Sequence, residues 1–140
     1  MSSRIPAATL DAYRQTDYRV EAPAPFTLRI DRPSTALFEL HSQHGVCSSA
    51  FLTAYNSHSR LLSQNENEER QWRLAQTLIR DDWHYLPGNG KHISGPWPAE
   101  ASFLVLGIGR EAAGKIARDF EQNAYVYCGA DCIPQLVLLR

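Results

Sequence analysis

The stretch Phe51-Leu-Thr-Ala-Tyr-Asn-Ser-His-Ser59 begins as an apolar segment and ends in an amide, an imidazole and several hydroxyls. An apolar element that turns polar at its tip is a natural place for a site, because burial fixes the tip while its side chains supply directed hydrogen bonds. Tyr55 and Asn56 offer a phenol and an amide that can hold a polar ligand, and His58 offers an imidazole that can move a proton near neutral pH. A second chemically able set is His41-x-x-His44-x-x-Cys47 together with Cys128-x-x-x-Cys132. Imidazoles three apart on a helix can face one ion. The spacing nevertheless matches no standard zinc module, and Cys128 in a strand serves equally well as a small apolar residue, so no metal is expected. There is no nucleophile elbow, zinc-protease motif or P-loop. Gly88-Asn-Gly-Lys91 lacks both the Walker spacing and the hydroxyl after the lysine, which leaves a tight turn as its reading.

The composition bounds the scaffold that must carry these residues. A chain of 140 residues with 44% apolar content fits one core, so residues 1–140 are expected to form a single domain without a resident cofactor. A formal charge of -1 gives no reason to expect duplex nucleic acid or an anionic membrane, both of which select basic surfaces. No apolar run approaches the roughly 18 residues that span a bilayer, and Met1-Ser-Ser-Arg-Ile-Pro6 lacks the apolar core of a signal peptide. Cys47, Cys128 and Cys132 are an odd set that cannot close a disulfide framework, and reduced thiols point to the cytoplasm.

Local patterns predict the elements. Leu10 and Tyr13 behind Thr9 as N-cap suggest a short helix over 9–17. Phe26–Ile30 alternates as a strand, and Ser34 caps a helix bearing Leu37, Leu40 and His41 that ends at Gly45, with a strand over Thr35–Leu40 as the competing reading because Leu37 and Phe38 fit either period. The run Ala50–Tyr55 carries no charge and suits a central strand covered on both faces. Ser63-Gln-Asn-Glu66 has the form of a capping box, and a helix from about Gln64 to Asp81 follows. On it, Trp72, Ala75, Leu78 and Ile79 are expected to form the buried stripe, with Glu66–Arg70 and Glu69–Arg73 as solvated pairs opposite. Trp83–Leu86 suggests a short strand ended by a turn at Pro87–Gly90, and Lys91–Glu100 an irregular loop. Ala101–Ile108 is a second central strand, Arg110–Glu121 a helix, and Ala124–Cys128 with Gln135–Leu139 a C-terminal hairpin. From Phe51 the order is strand, helix, strand, strand, helix, strand. That order is the split βαβ of a ferredoxin-like α+β fold: an antiparallel or mixed sheet with two main helices on one face, extended by N-terminal helical elements and the C-terminal hairpin.

Several of these residues carry a resemblance to a bacterial family defined only as a domain of unknown function, family 3293. They are Thr53-Ala-Tyr-Asn56 after an apolar strand, Asn65 near the start of the next helix, Trp97 with Glu100 and Ser102 before a strand, and Phe120-Glu-Gln-Asn-Ala124 after the last helix. Members commonly show Asn-Pro where this chain has Asn56-Ser57, so the loop is expected to be less rigid here. The resemblance implies a small bacterial α+β protein and supplies no established activity or cofactor.

The matching clusters can converge. Antiparallel neighbours bring the end of one strand beside the start of the next, so Tyr55 and Asn56 can meet Glu100 and Ser102; Gln122 and Asn123 need a more specific packing to join them. Amides and one carboxylate beside Tyr55 and Trp97 suit a small polar ligand. The expectation is a ligand- or partner-binding module using Tyr55, Asn56, Asn65, Trp97, Glu100, Ser102 and Gln122. An alternative is a hydrolase-like or transferase-like enzyme with Glu100 or His58 as general acid or base and Asn56 or Gln122 steadying charge. A third is a partner domain whose last strand, Gln135–Leu139, pairs with a second copy as a homodimer.

Overall fold

The computed structural model describes residues 5–140. Four helices, α1 (Ala7–Arg14), α2 (Thr35–His44), α3 (Gln64–Arg80) and α4 (Arg110–Asp119), accompany seven strands: β1 (Thr16–Val20), β2 (Phe26–Leu28), β3 (Ser49–Leu52), β4 (His84–His92), β5 (Glu100–Leu106), β6 (Ala124–Cys128) and β7 (Gln135–Leu138). The strands form one sheet in the order β2-β1-β4-β5-β3-β6-β7, and every pairing is antiparallel. The fold is therefore α+β. β3 lies between β5 and β6 and all its residues are buried, as its lack of charge predicts.

Strand alternation sends side chains to two different cores. Ala50 and Leu52 of β3 with Val105 of β5 pack against Leu74 and Leu78 of α3 and Ala113, Ile116 and Ala117 of α4, so both long helices share one face. Leu74 and Leu78 are completely buried, and each contributes about 1.5–3 kcal/mol. On the other face Phe51, Leu104, Leu106 and Val126 meet Leu37 and Leu40 of α2 and Tyr18 and Val20 of β1. This second face is concave. Although β2 and β7 stand at opposite edges of the sheet, the chain after β2 bonds to the chain before β7: Asp31 N–H donates to the Pro134 carbonyl (2.8 Å) and Ser34 N–H to that of Cys132 (3.0 Å).

Caps explain most helix boundaries. Ser34 accepts from Leu37 N–H at the start of α2, and Gly45 ends it in the left-handed conformation at φ 64°. Ser63 and Glu66 form the capping box of α3. Thr9, in contrast, caps nothing: α1 begins two residues earlier behind Pro6, and the chain turns into β1 where a continuing helix was expected.

Two further expectations are overturned. Pro87–Gly90 makes no turn, because β4 runs through it and pairs with β5 on one side and β1 on the other. The Pro87 carbonyl accepts from Glu21 N–H on the β1 side, just past the last paired residue of β1, so the missing proline donor faces the place where that ladder stops. A Cβ at Gly88 would lie 2.4 Å from the Arg19 carbonyl oxygen and 3.0 Å from the Phe51 ring; its glycine permits a close strand approach. On α3 the buried stripe is Asn67, Gln71, Leu74 and Leu78, while Trp72 and Ile79 are 60% and 55% exposed. Arg70 belongs to this inner side and is no solvated partner of Glu66. Only Glu69–Arg73 forms the expected surface pair.

Candidate functional site

β3 ends at Leu52, and the backbone beyond it finds its partners in side chains. Ala54 N–H donates to Gln71 Oε1 (2.9 Å), the Ala54 carbonyl accepts from Arg70 Nε (2.6 Å), and the Tyr55 carbonyl accepts from Gln122 Nε2 (3.0 Å). Asn56 N–H donates to Asn67 Oδ1 at 2.8 Å. The two polar residues of the buried α3 stripe thus take over the role of a sheet neighbour, because buried backbone groups must be paired. Arg70 also donates to the Phe120 carbonyl and to Glu121 Oε1, tying the strand tip to the end of α4.

Asn56 is the hub. Its Oδ1 accepts from Leu62 N–H (2.8 Å) and Asn67 Nδ2 (2.9 Å), and its Nδ2 donates to Glu100 Oε2 (2.7 Å). Its backbone is left-handed at φ 51°, a conformation asparagine tolerates better than most residues. His58 and Ser59 follow at φ 49° and 61° around a single 3-10 turn. Such residues cost on the order of 1–3 kcal/mol each, so the tip is held in shape by its hydrogen bonds.

Above this hub the concave sheet face holds a cavity of about 480 Å³. α1 contributes Ala12 and Tyr13, β1 contributes Tyr18, and Phe51, Val126 and Leu136 form an apolar wall. Glu100 and Ser102 reach it by the strand alternation that sends Leu104 and Leu106 into the core beyond. Glu100 is the one carboxylate among the described lining residues. Its Oε2 accepts from both Asn56 Nδ2 and Trp97 Nε1 (3.0 Å), and its Oε1 accepts from no described residue. Burial raises its pKa above the usual carboxylate range, opposed by those two hydrogen bonds. Burial likewise raises Tyr13, whose hydroxyl lies 2.8 Å from Ser59 Oγ.

Tyr55, Asn56, Trp97, Glu100, Ser102 and Gln122 all line this one cavity. Their roles differ. Ser102 Oγ donates to the Glu100 carbonyl and Gln122 Nε2 to two backbone carbonyls, which leaves Glu100 as the group with most bonding capacity to spare. Asn65 is exposed on the first turn of α3 and outside the cavity; the inward asparagine is Asn67, two positions on. His58 is outside it as well, with its N–H on the Glu121 carbonyl and its imidazole pKa lowered, first by burial and then by Arg140. Asn123 is buried and donates to Ser59 Oγ at 2.7 Å. The histidines and cysteines divide: His41 lies 2.8 Å from Ser49 Oγ and 3.6 Å from Cys132 Sγ, whereas His44 meets the His84 ring edge-on at 5.1 Å and Cys47 is exposed. Among the described residues no group of three or more His, Cys, Asp or Glu side chains is placed to hold a metal ion.

Sequence reasoning missed Asn67, Gln71, Arg70, Tyr13 and Tyr18. The first two did carry a signal, since residues 67, 71, 74 and 78 repeat at helical spacing; ranking the stripe by hydrophobicity hid it. Nothing local marks Tyr13, which reaches the cavity through the path of α1.

No helix of the described residues is long and apolar enough to cross a membrane. The family model described as a protein of unknown function, DUF3293, matches residues 52–125, more than half of the chain, and the chain belongs to that family. The matched segment runs from the last residue of β3 through α3, β4, β5 and α4 into β6, and so includes Asn56, Asn67, Trp97 and Glu100. Searches of curated proteins and of solved structures give no match.

Proposed function

We propose that this member of DUF3293 is a binding module for a small molecule, whose polar end is held on Glu100 and whose body lies against the aromatic wall of the concave sheet. The observation that carries this reading is the state of the Glu100 carboxylate. One oxygen is fixed by Asn56 and Trp97 while the other accepts from no described residue, at the polar end of a walled space of about 480 Å³. That volume falls within the roughly 300–1,000 Å³ usual for small-molecule sites. We read the β3–α3–β4–β5–α4–β6 unit, with its strands ordered β4-β5-β3-β6, as a split βαβ scaffold. We also place the protein in a reducing cytoplasm, in keeping with its free thiols. The test is a thermal-shift screen of small molecules with wild type and Glu100→Gln side by side. Ligands of this cavity should raise the wild-type melting temperature by mass action and lose most of that effect in the variant. Hits that stabilise both proteins equally would remove Glu100 from the site.

A second reading, catalysis with Glu100 as general acid or base, is favoured by the place of this carboxyl in the cavity and by burial, which raises its pKa above the usual carboxylate range. Consumption of a screened hit by wild type and not by Glu100→Gln would select it. Pairing of two copies along β7, an edge strand whose Leu138 is 42% exposed, is a separate expectation that light scattering tests.

A further inference from the structure

At the polar end of the cavity the amide and indole donors are committed: Asn56 Nδ2 and Trp97 Nε1 point at Glu100 and Gln122 Nε2 at the Tyr55 and Phe120 carbonyls, while Thr53 Oγ1 donates to the Ala101 carbonyl; the Tyr55 hydroxyl, which accepts from Gln64 Nε2, keeps its own proton to give. Two acceptors, Glu100 Oε1 and Gln122 Oε1, take no hydrogen bond from any described residue. The described lining contains no lysine or arginine. His92 also lines the cavity; its Nδ1 accepts from Ser94 N–H at 3.2 Å, and its Nε2 has no partner among the described residues. Around this end stand the rings of Tyr13, Tyr18, Phe51, Tyr55 and Trp97, whose faces carry negative charge density.

An anion placed here would meet a carboxylate and no compensating cation. A neutral molecule would satisfy an acceptor without gaining from the rings. A group that brings both protons and positive charge gains from each, because charge-assisted hydrogen bonds are stronger than neutral ones and aromatic faces attract cations. We infer that the ligand is an organic amine, its ammonium donating to Glu100 Oε1 and its apolar body seated against Tyr18, Phe51 and Leu136. This assignment rests on the small-molecule reading above and adds the chemical class.

The test uses three probes of matched shape, 2-phenylethylamine, 2-phenylethanol and 3-phenylpropanoate. Each is titrated into the full chain and followed by the indole N–H resonance of Trp97. The amine should bind on the order of tenfold tighter than the alcohol, with the carboxylate weakest, and Glu100→Gln should bring the amine down to the level of the alcohol. If the alcohol or the carboxylate matches the amine, the amine assignment is overturned while the cavity still counts as a binding site. If no probe moves the Trp97 signal at millimolar concentration, both readings fall. Should the variant not fold, the wild-type ranking decides the matter alone.

Discussion

The two ends of β3 pose the same physical problem and resolve it differently. At its start, on the concave face, Ser49 Oγ lies 2.8 Å from His41 Nε2, and Cys132 Sγ lies 3.6 Å from His41 Nδ1. Leu37 and Leu40 of α2 fill the space around them, and His41, Ser49 and Cys132 are all buried. At its far end Asn56 is buried and Glu100 half-buried, and the two are hydrogen-bonded, yet α1 arches over a cavity and one carboxylate oxygen accepts from no described residue. A helix that plugs one half of the concave face makes a closed polar cluster; where the plug is missing, the same sheet keeps a cavity. Burial of polar residues is common to both ends, and a spare acceptor beside empty space is what separates them.

The largest way to break this contrast is Asn56→Ala. It strands Leu62 N–H, Asn67 and Glu100 and puts an alanine at φ 51°, so about 3 kcal/mol or more of stability should go, read from urea unfolding. Ser49→Ala should cost about 1–3 kcal/mol by leaving His41 Nε2 unpaired, and the affinity of cavity probes should stay unchanged; a change in affinity would couple the two ends.

Acidity should sharpen the contrast, because the two ends respond with opposite sign. Burial raises Glu100 in the folded state, so the native state keeps that proton longer. The stability of wild type relative to Glu100→Gln should therefore fall as pH rises from the usual 4.5 through the raised value. The other titratable cavity groups, Tyr13, Tyr18, Tyr55 and His92, are common to both proteins. Burial lowers His41, so wild type relative to His41→Gln should lose stability as pH falls below the usual 6.5. The neighbouring thiols take no part there, since burial raises Cys132 and pushes Cys128 to about 12. Parallel slopes in chemical denaturation would contradict the assignment. The smallest effect belongs to Trp72→Ser, expected within about 0.5 kcal/mol of wild type because that ring is 60% exposed.

What the sequence could convey divides along similar lines. The caps at Ser34 and Ser63, the strand β3, the helix α4 and the closing hairpin are local events, in which nearby residues satisfy one another, and their positions follow from short patterns. The convergence of Asn56 with Glu100 is a long-range contact, and it is legible because antiparallel pairing of β3 and β5 sets the end of one strand beside the start of the other. The failures are tertiary. Pro87 and the two following glycines carry turn chemistry, but pairing on both sides makes them a strand. Trp72 looks like core and Asn67 like surface; the backbone needs of residues 54–56 reverse the two, because an amide facing unpaired backbone groups is worth more there than a ring. Tyr13 and Tyr18 enter through a long-range path that no short motif encodes.

The hydrogen bond from Asp31 N–H to the Pro134 carbonyl also sets an order of events during folding. It joins segments separated by most of the sequence, and contacts of that kind form late because loop-closure entropy must be met first. The hairpins β1–β2, β4–β5 and β6–β7 can each assemble from near neighbours, whereas the curl that gives the sheet a concave side waits for residues 31–34 and 132–134 to meet. Until then Tyr18, Phe51 and Leu136 face water on an open sheet. The cavity should be among the last features to appear in refolding, and its loss should be the first sign of unfolding.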